Sequence, residues 1–341
     1  MTMTDLKPVR STANPVPVRR AGSIRRTSSI DVTWPDGGVD LRRFEGRARD
    51  LVRRADGSDL VRAAGSMTAD LDFERKIVSI TADPAPAELP QLVGQKGGGH
   101  LRVFLRDLMP GLIAEAHPLY LLLDDISGTS LVSNWAWSQW GEDWLSRMQR
   151  LSGAANFSEM LAERTNVCWG FQPGFSSHDP HTRLGEDIAA DGMDLRNPAD
   201  PEGWHAFPES EGLSFRRARR IDVWREADAI RVEASFQDSA PRREGGRAAL
   251  HEYILRVSLD PSRLVITSLE PEARVLPFRE CPGAIANARK LVGTPMDGIR
   301  EAVLDSLRGP AGCTHLNDAL RALADVPELL AALDGQATQP A

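Results

Sequence analysis

Cysteine is scarce. Cys168, Cys281 and Cys313 are the only three in 341 residues. They are too scattered for a disulfide framework or a zinc-ligand spacing, so reduced thiols are expected. No apolar run approaches the roughly 20 residues needed to cross a bilayer, and the opening MTMTDLKPVR lacks the apolar core of a signal peptide. These absences predict a cytoplasmic protein with no membrane partner. No dinucleotide fingerprint is present. Gly97-Gly98-Gly99 lacks the Lys-Ser/Thr and the preceding strand of a phosphate-binding loop. No Gly-x-Ser-x-Gly elbow occurs either. Nothing in the chain calls for a bound cofactor, and none is expected.

What is present is an ordinary globular composition, 41% apolar and 26% charged. The net charge is −7, unevenly spread. The first 28 residues hold Lys7, Arg10, Arg19, Arg20, Arg25 and Arg26 against Asp5. A basic arm can touch phosphate, but this one has no interleaved aromatics and is joined to an acidic body. Nucleic acid is therefore not an expected partner. We read residues 1–24 as a disordered basic leader and 334–341 as a disordered tail.

Two stretches of the chain resemble one another. Arg25-Arg26-Thr27-Ser28-Ser29-Ile30-Asp31-Val32 parallels Arg216-Arg217-Ala218-Arg219-Arg220-Ile221-Asp222-Val223. Asp72-Phe73-Glu74-Arg75 parallels Asp260-Pro261-Ser262-Arg263, and Leu92-Val93-Gly94 parallels Leu291-Val292-Gly293. Around these lie period-two segments such as Ala69-Leu71-Phe73, Ile230-Val232-Ala234-Phe236 and Tyr253-Leu255-Val257-Leu259. Residues 40–53 fit a helix or a strand. Helices are predicted over about 100–108, 295–307 and 317–323, and from Pro327. The pattern predicts an α+β fold: two related halves, 25–133 and 213–333, each a meander of short strands followed by a helical hairpin, produced by internal duplication.

Between the halves, residues 134–212 form an unmatched insert holding Trp135, Trp137, Trp140, Trp144, Trp169 and Trp204. Trp137, Trp140, Trp144 and Met148 share a helical face, so part of it is expected to be core. The rest reads as a lid over a flat aromatic ligand or, equally, as a surface subdomain or homodimer contact. Trp135, Trp137, Trp140 and Trp169 are the candidate walls. His178-Asp179-Pro180-His181 is the densest group of titratable side chains, able to bind a metal or act as bases; Pro180 opposes a helix and no third ligand is specified, so no metal is assigned.

The run His117-Pro118-Leu119-Tyr120-Leu121-Leu122-Leu123-Asp124-Asp125 ends a greasy segment in two acids. Desolvation raises carboxyl pKa values, which makes Asp124 and Asp125 candidate acid/base residues. Adjacent helical residues point about 100° apart, so one should face a pocket and one the protein. Asp124 is the choice for the pocket, with Tyr120 one turn earlier. Arg106 is a candidate substrate-binding residue. His315 is expected to satisfy a buried hydrogen bond at a helix that Thr314 caps.

Gly312-Cys313-Thr314-His315-Leu316, the Arg-Arg-Thr start and the Pro-Leu-Tyr-Leu-Leu-Leu-Asp-Asp run together resemble a bacterial family known mainly as a domain of unknown function, over most of residues 25–325. Its longer, tryptophan-bearing members resemble proteins of aromatic catabolism in sphingomonad-type bacteria, among them phenylcoumaran γ-formaldehyde lyase. The resemblance implies a cofactor-independent lyase of lignin catabolism, one that releases formaldehyde from a phenolic diaryl compound and leaves a stilbene. It carries over no catalytic residues. The alternatives are a non-enzymatic module that binds an aromatic ligand, and a metal-dependent hydrolase using His178 and His181.

Overall fold

The computed structural model describes residues 16–35, 37–38, 40–140, 164–179, 190–208 and 212–337. It is an α+β arrangement built on one nine-stranded antiparallel sheet. Four long strands come first: β1 (Ser23–Thr33), β2 (Leu41–Arg53), β3 (Asp59–Asp72) and β4 (Ile77–Asp83). Three helices follow, α1 (Gly99–Leu108), α2 (Pro110–Ala114) and α3 (Pro118–Val132). After the two-residue β5 (Ala190–Asp191) come β6 (Ser214–Arg225), β7 (Ile230–Pro241), β8 (Arg247–Leu259) and β9 (Ile266–Val275). The chain ends in α4 (Ile285–Ala288), α5 (Ile299–Ser306), α6 (Thr314–Ala322) and α7 (Val326–Ala337). The strands are long rather than short. Residues 40–53 resolve to a strand, and the helix expected over 295–307 is a 3-10 turn (Met296–Gly298) followed by α5.

The spatial order is β4-β3-β2-β1-β6-β7-β8, with β9 pairing β8. The two meanders therefore meet at β1 and β6, paired antiparallel from Ser23↔Trp224 to Thr33↔Ser214. The stretches that resemble one another in sequence lie side by side across this seam. Arg25 donates to Asp222 at 2.5 Å, and its counterpart Arg216 donates to Asp31 at 2.6 Å.

Each meander also closes its outer edge in the same way. Arg75 and Leu264 both adopt positive φ in the turns before β4 and β9. Gly94 and Gly293, at φ +86° and +93°, donate to Ile77 and Ile266 at 2.7 and 2.8 Å. Only glycine takes that backbone without strain, which accounts for the repeated Leu-Val-Gly. The aligned aspartates occupy matching places: Asp72 N–H donates to Lys76 at 3.0 Å and Asp260 N–H to Val265 at 2.9 Å. The second turn is one residue longer, so Arg75 corresponds to Leu264 rather than to Arg263.

One face of the sheet carries the helices over two apolar clusters. Phe44, Met67, Leu71, Leu119, Leu122 and Ile126 belong to the first-half cluster. Phe236, Tyr253, Leu255, Leu316, Leu320 and Val326 belong to the second. The other face of the seam is covered by residues 16–20 and 190–208, where Val16, Met193, Leu195, Trp204 and Ala218 pack together. Both faces of β1 and β6 are consequently buried, including Arg25, Arg26, Arg217 and Arg220.

The fold thus begins before Arg25. Within the stretch expected to be a disordered leader, Val16 is buried, and Arg19 is held by Asp200 at 2.6 Å and Asp59 at 2.9 Å. The expected helical face through Trp137 and Trp140 is instead a 3-10 helix, Ser133–Gln139, with Trp140 at its C-cap; Trp144 and Met148 lie outside the described residues.

His205 fastens the covering segment to β1. Its Nδ1 and Nε2 meet the hydroxyls of Thr27 at 2.9 Å and Ser29 at 2.8 Å. Burial first, then Arg49, Arg216 and Arg47, push its imidazole down to about 3. An unfolded histidine takes its proton near pH 6.5. Below that pH the unfolded chain binds a proton that the folded chain refuses until about pH 3, so this group costs stability as pH falls. We expect His205→Gln, which keeps neutral hydrogen-bonding atoms, to flatten the loss of urea midpoint between about pH 6.5 and 5. An unchanged slope would refute the assignment.

Candidate functional site

Beneath the helices, the middle of the sheet is charged rather than apolar. Arg217 on β6 grips Asp238 on β7 through two hydrogen bonds of 2.8 and 2.9 Å. Its remaining nitrogen lies 3.4 Å from Asp318 of α6 and 3.7 Å from Asp125 of α3. Arg219 takes Asp125 bidentately at 2.6 and 2.5 Å. Arg321 of α6 joins Asp124 at 3.1 Å and Asp318 at 3.0 Å. Arg102 of α1 reaches the same two acids at 3.5 and 2.9 Å. Bidentate arginine–carboxylate pairing at full burial fixes geometry as well as charge.

Two histidines complete the group. His251 on β8 stands opposite Asp238 in the β7–β8 register and places Nδ1 3.1 Å from its Oδ2. His315, in the first turn of α6, stacks on His251 with ring centroids 3.6 Å apart and planes at 21°. Its Nε2 is 3.8 Å from the same Asp238 oxygen, while Thr314 Oγ1 lies 3.3 Å from its Nδ1. Burial drives both imidazoles toward the neutral form. Burial alone would raise Asp238, but Arg217 and the His251 hydrogen bond prevail and hold it ionised. The side chains of His251 and His315 retain 5% and 10% of their surface, and that of Asp238 retains none. Among the described residues, Asp238, His251 and His315 are the one set of three such side chains whose ligand atoms all lie within 4.8 Å of one another.

All three lie within residues 215–328. Those residues match the family described as "Protein of unknown function (DUF2889)". No curated protein and no solved structure matches the chain. The domain of unknown function foreseen from the sequence is therefore present over the second half of the fold. Asp124 and Asp125 stand outside the matched stretch and contact it across the seam.

Asp124 and Asp125 do point in different directions, and both meet arginines. Asp124 does not have the raised pKa expected of it. Burial pushes upward, but Arg102 and Arg321 overcome it and the carboxyl lies below its ordinary value, which suits a fixed anion better than a base. Tyr120 is buried under Arg300, 5.3 Å from its ring, and is pushed up to about 12 by burial and then by Asp124. Arg106 is exposed and pairs with its neighbour Asp107 at 3.2 Å, away from the cluster.

His178 belongs to another place. It stands in a 3-10 turn against Phe171, with Thr165 and Ser177 as partners. His181 lies outside the described residues. The tryptophans are dispersed. Trp135 and Trp137 pack on the first-half core, Trp140 donates to the Pro241 carbonyl at 2.8 Å, and Trp169 packs on the second-half core. They do not gather into one wall. A shallow groove on the sheet, lined by Glu45, Arg47, Ser66, Thr68 and Thr81, contains none of them.

Asp238, His251 and Arg217 were not singled out by sequence reasoning, and His315 was assigned a structural role. The available signal was the β7–β8 hairpin, whose alternation sets Asp238 and His251 across from one another. Among the described residues, no helix is long and apolar enough to cross a bilayer.

Proposed function

We propose that this protein is an enzyme, a carbon–carbon lyase that releases formaldehyde from a phenolic diaryl compound of lignin origin and leaves a stilbene. The observation that carries the reading is the Asp238–His251–His315 group, two nitrogen bases on one ionised carboxylate, touching solvent beside a set of arginines. The reaction needs few parts. The γ-hydroxyl must become an alkoxide. Its collapse expels formaldehyde, the electron pair of the broken C–C bond forms the stilbene double bond, and the aryl oxygen departs as phenolate. The imidazole pair is the place to make the alkoxide, and Arg102 and Arg321 are cations able to meet the phenolate. The resemblance to lignin-catabolic proteins supplies the substrate class.

Incubation with a phenylcoumaran panel and trapping of formaldehyde tests this. His251→Gln and His315→Gln should lower release by about 100-fold or more, the usual contribution of positioned acid–base groups. His178→Gln should leave it unchanged. If Asp124→Asn abolishes release while both imidazole variants keep it, the chemistry belongs to Asp124. If no panel member yields formaldehyde, yet one quenches tryptophan fluorescence, the chain is a binding module.

We further propose that the two halves descend from an internal duplication. The matched seam pairs Arg25–Asp222 and Arg216–Asp31 and the matched Gly94 and Gly293 closures support it.

A further inference from the structure

We propose that Asp238, His251 and His315 form a binding site for one divalent first-row transition-metal ion, with one coordination position left open. The inference uses the same three side chains as the lyase reading but does not depend on that reaction. Two imidazoles and one carboxylate are a ligand set that suits zinc, iron and their neighbours. The distances are close to what such an ion requires, and the two stacked rings, 3.6 Å apart with planes at 21°, turn as it binds so that their nitrogen lone pairs converge on it. Ligand atoms held about 2.0–2.1 Å from a tetrahedral ion lie about 3.3 Å apart. Here His251 Nδ1 is 3.1 Å and His315 Nε2 is 3.8 Å from Asp238 Oδ2.

The surrounding groups behave as outer supports. Thr314 Oγ1 lies 3.3 Å from His315 Nδ1, where it can accept the Nδ1 proton when Nε2 binds the ion. Arg217 holds the Asp238 carboxylate from the other side, fixing its plane. The charge of Arg217 is met in turn by Asp318 at 3.4 Å and Asp125 at 3.7 Å, which lessens its repulsion of a bound cation. With three protein ligands the ion keeps a free position, the arrangement of catalytic rather than structural sites. A hydroxyl bound there is acidified.

The test uses the full chain, purified without a histidine tag, stripped with chelator and titrated with Co²⁺ in the absence of substrate. One equivalent should bind, with a visible ligand-field band. His251→Gln and His315→Gln should each weaken binding beyond the about 10- to 100-fold loss that outer-support changes give, and His178→Gln should not. Zinc added to the wild-type chain should protect His251 and His315 from diethyl pyrocarbonate, read by mass spectrometry; this readout stands even where a variant fails to fold. No uptake by the wild type, uptake that survives both variants, or protection at other histidines would overturn the site. Because binding is read without turnover, an inactive protein that binds cobalt leaves this site standing while the lyase reading fails.

Discussion

Arg217→Met is expected to lower the stability of this protein by about 3–5 kcal/mol, the cost of removing one partner from a fully buried ion pair. Methionine keeps most of the volume, so the loss reports charge rather than a cavity. Asp238 loses both of its arginine hydrogen bonds, and the nearby Asp125 and Asp318 lose a shared cation. Urea denaturation would read the change. The second substitution Asp238→Asn in the Arg217→Met background should recover part of the loss, since it removes the stranded charge. A single variant within about 1 kcal/mol of wild type would mean that solvent reaches this cluster far more freely than the burial of Arg217 and Asp238 allows.

Gly128→Ala should be almost as damaging, against the ordinary rule. In a helix interior, alanine is favoured over glycine by about 1 kcal/mol. At Gly128 of α3, however, a methyl group would fall inside the guanidinium of Arg217 and 2.7 Å from Asp318 Oδ2. The guanidinium is pinned by Asp238 and cannot retreat. We expect a loss of about 3 kcal/mol, at the upper end of overpacking costs. Gly111 in α2 has no atom within 4 Å of the equivalent position, so Gly111→Ala provides the control and should be neutral or mildly stabilising. A stabilised Gly128→Ala protein would place α3 farther from β6 than described.

Much of the architecture was legible because its signals are local. The period-two segments became β3, β7 and β8. The Leu-Val-Gly pairs mark two backbone closures that require positive φ, and α1 falls where its pattern placed it. The burial of the start of β1 was not legible. Arg25, Arg26, Thr27 and Ser28 have the composition of an exposed arm, and they are buried only because Asp222, Asp50 and Asp325 arrive from distant parts of the chain. The same reason hid the site. His251 and His315 are far apart in sequence with no motif between them, and they meet because α6 docks on the β7–β8 hairpin. The acid pair in the middle of α3 drew notice correctly as a buried feature. The titration of Asp124 was misjudged because hydrophobic neighbours in sequence say nothing of Arg102 and Arg321 in space. The tryptophans gave an opposite lesson: clustering along the chain did not become clustering in the fold.

The β1–β6 seam has a consequence for how the chain is made. As the polypeptide leaves the ribosome, β1 emerges early, but its partner β6 begins only at Ser214. At roughly 5–20 residues per second, the intervening 180 or so residues take on the order of ten seconds or more to appear. Throughout that interval a fully formed first meander would offer an open edge, the kind of edge on which nascent chains aggregate. The edge is defended by its own composition. Arg25 carries a charge that finds its carboxylate, Asp222, only in the later part of the chain, and Arg26, held by Asp50 within the first meander, still waits for Asp325. Two premature copies of β1 would bring together two Arg25 side chains without their partner Asp222. The same charges that stitch the finished seam would thus keep unfinished chains apart on the polysome.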